Sequence, residues 1–214
     1  MPKSLRTFLE DVKREIPDEL ITISKVVDPA HYDVTAIIKH LGAQKKFPVI
    51  VFENPLNLHG KVSEVKLVLN CEISQRKTQI ALGVPPEMDR TRMGEECLRR
   101  EEKRIKPVVV GRSDAPVKEV VVTGASVDVY ELPIMRHHEM DGGPYLVMSS
   151  VGRDREIGVY NVSYHRMEVK SRNTTALYAS PRHMWKIFKG YEDANEECPV
   201  ATVLAHHQIG RAHV

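Results

Sequence analysis

Four side chains with distinct chemistry stand close together in the stretch "NVSYHRMEV", Asn161 to Val169. The Asn161 carbonyl can bind a cation and the Ser163 hydroxyl can donate or accept, while His165 stands at the join of the pattern. Arg166 offers a planar fork that matches a carboxylate or phosphate. The surrounding pattern is a strand's, but its phase changes. Val162 and Tyr164 are even-numbered apolar positions, whereas Met167 and Val169 are odd-numbered. In a regular strand Asn161 and Arg166 point to opposite faces. A β-bulge at or beside His165 would place Asn161, Ser163 and Arg166 on one surface and all four apolar residues on the other. A strand ending near Tyr164 and a new one starting after it would fit the same letters, with the polar residues in water. Periodicity leaves both open.

A second group lies in "SPRHM", Ser180 to Met184. Ser180 suits a helix N-cap and Pro181 the first helical position, which predicts His183 as the third helical residue. Unpaired amides and the helix dipole favour an anion such as phosphate there. Together with the Asn161 carbonyl, His183 would form a mixed oxygen and nitrogen site suited to Mg²⁺ or Mn²⁺ rather than zinc. Two protein ligands are too few to hold a metal firmly. His137-His138 and His206-His207 are adjacent pairs, and chain neighbours rarely point the same way. Ten histidines without a ligand motif do not make a zinc hydrolase.

Two kinds of chain must position these groups. In the first half, Leu5, Phe8, Leu9, Val12 and Ile16 repeat at helical spacing, followed by the extended run "LITISKVV". Asp28-Pro29 breaks the chain, Val34, Ile37, Ile38 and Leu41 predict a second helix ending near Gly42, and "FPVIVFEN" reads as a buried strand. Helices are predicted at "SQRKTQIAL" and "PEMDRTRMGEECLRREEK". This half is α/β. The second half offers short β-rich runs, "PVVVG", "KEVVVTG", "VDVYEL", "YLVMSSVG", "GVYNVSYHRMEV" and "TTALYAS", which predict a mostly antiparallel barrel or sandwich interrupted by the helix at "SPRHMWKIF". Gly142-Gly143-Pro144 predicts a tight turn into a strand starting at Tyr145. The boundary is placed near residues 110–116.

Composition narrows the class. Of 214 residues, 42% are hydrophobic and 28% charged, as in an ordinary globular chain, and a formal charge of +2 gives no long-range pull on nucleic acid. No apolar run approaches the roughly 20 residues of a membrane span. The amphipathic N-terminus lacks the apolar centre of a signal peptide. Three scattered cysteines without CxxC fit a reducing, cytoplasmic setting. GxGxxG, Walker A, GxSxG and HExxH patterns are missing, against dinucleotide enzymes, NTPases, serine hydrolases and zinc proteases.

Taken together, these residues resemble the UbiD family of decarboxylases, which use a prenylated flavin mononucleotide. The likeness rests on "SLRTFLEDV", "ITISKVVDP" and "PVIVFEN". It continues through "PVKEVVVTGASVDVYELPIMRHHEMDGGPYL", "GVYNVSYHRMEV", "SPRHMWKIF" and "CPVATVLAHH", covering nearly the whole chain to His207. The resemblance implies an α/β domain over 1–112 and the start of a split β-barrel flavin-binding domain over 113–208, left incomplete. It implies Asn161 and His183 as ligands of a divalent ion, Mn²⁺ or Mg²⁺, that bridges the cofactor phosphate, with K⁺ as a further candidate ion. Arg166 resembles the arginine that orients the substrate carboxylate amid glutamates. Ser163 and Tyr164 fall where cofactor contacts are expected, Arg182 stands where some members have Gln, and Met148 lies on the strand that approaches the isoalloxazine.

The implied chemistry is loss of CO₂ from an aromatic or α,β-unsaturated acid, through a covalent adduct with the prenylated flavin and protonation by a glutamate. Side chains alone cannot delocalise the carbanion, so a cofactor serves as electron sink. A flavin prenyltransferase would supply the cofactor, and the full-length parent would be a homo-oligomer. The family's third metal ligand, a glutamate, its catalytic acidic residues and its C-terminal domain would lie beyond residue 214. Ile209 to Val214 can be written as the codons ATC GGA AGA GCA CAC GTC, which resemble a widely used sequencing adapter. The expectation is therefore a frame that runs from a truncated gene into adapter, and little or no decarboxylase activity from the chain as written. The rival expectation is a non-enzymatic flavin-binding module on the same split barrel.

Overall fold

The computed structural model describes residues 4–205, apart from 104 and 107. The sequence expectations for 206–214, including His206-His207 and the proposed adapter tail, lie outside the described residues. The first helix, α1 (Leu5–Glu15), opens with a capping box in which the Ser4 hydroxyl accepts from the Thr7 N–H and Thr7 returns a bond to the Ser4 backbone. Its periodic apolar face buries Phe8 and Val12. Strands β1 (Leu20–Ile23), β2 (Val49–Phe52) and β3 (Leu67–Leu69) form a small sheet in that order, β1 parallel and β3 antiparallel to β2. A parallel pair needs a crossover, supplied by α2 (Asp33–Ala43).

Helices cover both faces of this sheet, so its central strand reads as a continuous apolar run. Val49 packs into a cluster with Phe8, Val12, Cys71, Ile80 and Ala81, the last two from α3 (Gln75–Leu82). Ile50 and Phe52 point the other way, to Val27, Val34 and the α2 residues Ile37, Ile38 and Leu41. Met135, from well beyond the sheet, completes that second cluster. A longer helix, α4 (Arg90–Glu101), is capped by Asp89 and buries Met93. The helices and strands expected in this half are present, and β3 is a strand the sequence reading did not anticipate.

Residues 108–144 differ from their sequence expectation. "PVVVG", "KEVVVTG" and "VDVYEL" were expected as strands, and none of the described residues there is in a strand. Short 3₁₀ turns occur instead at Arg112–Asp114, Pro116–Lys118, Gly124–Ser126 and Val129–Glu131. Val109, Val117 and Val120 are strongly exposed. β-branched residues favour extended backbone, but a strand exists only where a neighbour accepts its hydrogen bonds. This segment instead attaches through side chains and isolated backbone bonds: Asn57 Nδ2 donates to Glu131 at 3.0 Å, Asp128 accepts from His59 and Arg172, and the Val129 N–H donates to the Arg172 carbonyl at 2.7 Å.

The second sheet contains β4 (Tyr145–Arg153), β5 (Tyr160–Ser171), β6 (Thr174–Leu177) and, after α5 (His183–Asp193), β7 (Val200–Val203). Its order is β6-β5-β4-β7, every pair antiparallel. It is open, an incomplete split barrel. The β4–β5 turn closes at Gly158, whose φ of +72° a residue with a side chain rarely adopts, while Asp154 accepts from the N–H groups of Glu156 and Ile157.

β4 and β5 pair without interruption from Tyr145↔Glu168 to Arg153↔Tyr160. Neither alternative read from the sequence, a bulge at or beside His165 or a strand ending near Tyr164, is present. The register shift in β5 falls instead between Val169 and Ser171, against β6. Side chains alternate regularly through Asn161–Val169, so Asn161, Ser163, His165, Met167 and Val169 share one face, with Val162, Tyr164 and Arg166 on the other. The phase change has another cause. The face carrying Asn161 is polar at one end and apolar at the other: Met167 and Val169 are buried, whereas Asn161, Ser163 and His165 bond to one another.

Candidate functional site

A cleft of about 580 Å³ lies against β5 and the start of α5. Asn161, Ser163, Tyr164, Arg166, Arg182 and His183 all line it, together with Val147, Val162, His165, Tyr178, Ser180 and Met184. Asn161 and Arg166 point to opposite faces of β5 and still reach one space, because β6 pairs with β5 only from Met167 onward. Among the described residues β5 is an edge between Asn161 and Arg166, and a cleft that wraps an edge is lined from both faces. The Arg166 carbonyl turns to that side, accepting from the Tyr178 N–H at 3.5 Å. The Val169 N–H, an odd position, turns to the β4 side and bonds to Pro144.

α5 begins two residues later than its sequence predicts. Arg182 is the N-cap, His183 is the first helical residue, and Ser180 lies outside the helix. The Arg182 N–H bonds back to the Ser180 carbonyl at 2.7 Å, a tight turn that uses up the Ser-Pro pair before the helix starts. Ser4, Ser74 and Asp89 cap α1, α3 and α4 with side-chain oxygens, but α5 has no side-chain cap. Its first-turn amides keep their bonding capacity for something else, at the positive end of the helix dipole. Met184 and Ile187 hold α5 on the sheet, and Gly152 makes room for them: a Cβ there would lie 2.8 Å from Met184 Sδ.

The cleft is cationic. Arg166 and Arg182 line it, and no Asp or Glu is among its described lining residues. Among the described residues, neither guanidinium has an ion-pair partner, whereas Arg99 and Arg100 both hold Glu96 at 2.7 Å. On the opposite side of Asn161, its Nδ2 donates to Ser163 Oγ at 3.2 Å. That leaves the Oδ1 lone pairs for a cation, and with the His183 imidazole they supply the oxygen and nitrogen donors a hard or borderline divalent ion takes. The donor set fits such an ion.

Met148 is paired with His165 in the β4–β5 register. His165 was read from the sequence only as the place where the strand changes phase. Its link to Asn161 was legible in the polar run at every second position, Asn161, Ser163, His165, which puts all three on one face. Among the described residues His137 and His138 fall in no cluster of three candidate metal ligands; their backbone N–H groups bond to Asp141 Oδ2, at 3.1 and 2.9 Å, forming a turn. That carboxylate is held below its usual pKa, chiefly by the His138 N–H.

The fold is an open antiparallel half-barrel with a cationic cleft at a helix start, together with a three-layer α/β unit. Known proteins share this fold. Residues 108–209 match the UbiD family's 3-octaprenyl-4-hydroxybenzoate carboxy-lyase Rift-related domain. Anhydromevalonate phosphate decarboxylase of Methanosarcina mazei is 31% identical over 200 residues, covering 93% of this chain and 42% of that protein. Vanillic acid decarboxylase of Sedimentibacter hydroxybenzoicus, in closed form, superposes with a TM-score of 0.85 at 28% identity, covering 98% of this chain and 44% of that one. An evolved dimeric form of the UbiD-class enzyme HmfF from Pelotomaculum thermopropionicum, in complex with prFMN, gives 0.83 at 28% identity, covering 96% and 45%. The chain carries a UbiD-family domain over residues 108–209. It spans less than half the length of these relatives. Among the described residues, no helix is long and apolar enough to cross a membrane.

Proposed function

We propose that the chain is the cofactor-holding part of a UbiD-type carboxy-lyase that decarboxylates an aromatic or α,β-unsaturated acid with prenylated FMN and a divalent ion, Mn²⁺ or Mg²⁺. The observation that carries the reading is the cleft itself, with two unpaired arginines, an uncapped helix start and no carboxylate among its described lining. Such a lining suits a ligand with a phosphate at one end, and a substrate carboxylate. Relatives whose names are decarboxylases, one solved with prFMN, support the same reading.

Within it, the α5 amides and Arg182 would hold the cofactor phosphate, and Asn161 Oδ1 and His183 would hold the divalent ion. Ser163 and Tyr164, on the β5 edge, would contact the flavin. Arg166, on the other face of that edge, receives the substrate carboxylate in a bidentate grip. The flavin, when bound, supplies the electron sink for the charge left as CO₂ departs. The chain's own residues bind, orient and neutralise. The proton donor, the complete substrate pocket, K⁺ as a further ion, and assembly into a homo-oligomer belong to the whole enzyme, and a flavin prenyltransferase would supply the cofactor.

The test is cofactor capture. The chain is co-expressed with a flavin prenyltransferase, purified, and scanned in the near-ultraviolet and visible; in parallel the apoprotein is titrated with FMN by fluorescence quenching. Bound flavin that weakens about tenfold or more in Arg182→Ala supports the reading. A colourless protein that leaves FMN fluorescence unchanged overturns it. Ordinary FMN bound without any uptake of the prenylated form favours the non-enzymatic flavin module.

A further inference from the structure

The cleft contains a hydrogen-bond chain whose direction is fixed from one end. His165 Nδ1 lies 3.2 Å from the Tyr178 carbonyl, and His165 Nε2 lies 2.8 Å from Ser163 Oγ. Asn161 Nδ2 lies 3.2 Å from the same hydroxyl. A backbone carbonyl can only accept, so Nδ1 carries the ring proton. In the neutral imidazole Nε2 is then a bare acceptor, and the Ser163 hydroxyl must donate to it. With its one hydrogen committed, Ser163 Oγ can only accept from Asn161, which turns the NH₂ edge of that amide toward Ser163. Oδ1 is left as the edge facing away.

We propose that His165 is a positioning residue, and that it orients the Asn161 amide through Ser163 so that Oδ1 is presented as a cation ligand. This rests on the reading of the cleft as a divalent-ion site. An isolated Asn amide can flip at little cost, and a flipped Asn161 would aim hydrogens at the ion. Spacing at every second residue of one strand gives the chain its reach, since successive links sit on one face about 7 Å apart along the backbone. Its anchor, Tyr178, lies beyond the end of β6, on the connection that leads into α5. The same ring therefore ties together the two segments that carry Asn161 and His183.

The obvious alternative role for His165 is a tether between β5 and the residues after β6, and a double-mutant cycle separates the two. Mn²⁺ binding to the full chain, with FMN present, is followed by loss of the free Mn²⁺ electron paramagnetic resonance signal. His165→Phe frees the Ser163 hydroxyl to donate to Asn161 Oδ1, and the expected loss of affinity is about tenfold, the lower end for a residue behind a ligand. Ser163→Ala should cost a similar factor, and the double variant should cost no more than either single change. Ser163→Thr, which keeps the hydroxyl, should restore binding. Effects that multiply, or an unchanged affinity in His165→Phe, overturn the proposal.

Side-chain ¹⁵N spectra give a readout independent of the metal. His165 should be the Nδ1–H tautomer, and the Asn161 amide resonances should move in both His165→Phe and Ser163→Ala. An Nε2–H tautomer, or Asn161 resonances indifferent to His165, refutes the chain's direction whether or not Mn²⁺ binds. Asn161→Ala marks the other failure. If it binds Mn²⁺ as tightly as the parent chain while the spectra behave as expected, the ion-site reading has failed, and with it the ligand role assigned to Asn161.

Discussion

Met184 is the side chain on which α5, and with it His183, rests against the second sheet. It is 2% exposed, and only Ile187 is buried with it from that helix. Truncation in Met184→Ala removes the group that lies on Gly152 and leaves a cavity under the helix start. Large-to-small core changes of this kind cost about 2–5 kcal/mol, and about 3 is expected here because one of two buried anchors is lost. The reciprocal change, Gly152→Ala, puts a methyl 2.8 Å from Met184 Sδ and 3.3 Å from its Cε. Both atoms belong to the flexible end of an unbranched side chain, so the strain should be near the low end for overpacking, about 1 kcal/mol. In the double variant the new methyl occupies part of the space the methionine vacated. The two changes should then combine to about 1 kcal/mol less than their sum. Urea unfolding measures this directly, and Trp185, the chain's single tryptophan, reports from the next position on the same helix. Single-variant costs that add within about 0.3 kcal/mol would refute the direct packing of Met184 on Gly152.

Two further outcomes follow from the first core. Burial, with a smaller contribution from Glu72, pushes the Cys71 thiol up from 9.0 to about 12. The unfolded chain releases that proton from about pH 9 upward while the folded chain retains it, so stability is full below pH 9 and falls as pH rises toward 12. The slope reaches at most about 1.4 kcal/mol per pH unit; thermal midpoints at pH 8 and pH 10.5 should separate more in the parent than in Cys71→Ala, and equal separations would count against it. Lys77 is fully buried, 3.0 Å from Glu19 and donating to the Phe47 carbonyl. Lys77→Ala should cost about 3–5 kcal/mol and Lys77→Met clearly less, because the methionine fills the space while the half-exposed Glu19 returns to water; chemical denaturation that ranks them equally would assign the whole effect to the charge.

Local pattern specified most of the elements. The face of α1, its Ser4 cap, the α2 residues Val34, Ile37, Ile38 and Leu41, and the apolar β2 all follow from spacing, since each reports which side of one element is buried. The same logic failed where pairing decides. The valines between 108 and 122 have strand propensity, but among the described residues they have no strand neighbour, and they remain outside the sheet. At β5 the phase change was real and its cause was misread, because burial differs along the strand's two faces without any extra residue between Asn161 and Arg166.

By itself, then, the sequence determined the chemistry: an amide, a hydroxyl, an imidazole and a guanidinium within one strand, and Arg182-His183 at a helix start. That likeness of residue types and order was enough to indicate the family. Only the tertiary structure decided how those groups share a space. β6 begins to pair at Met167, and that exposes the β5 edge and lets side chains from opposite faces line one cleft. The Tyr178 carbonyl gives the His165–Ser163–Asn161 chain its direction. A sequence period records the alternation of side chains along one strand. Where the neighbouring strand stops is set by long-range pairing, which no local period contains.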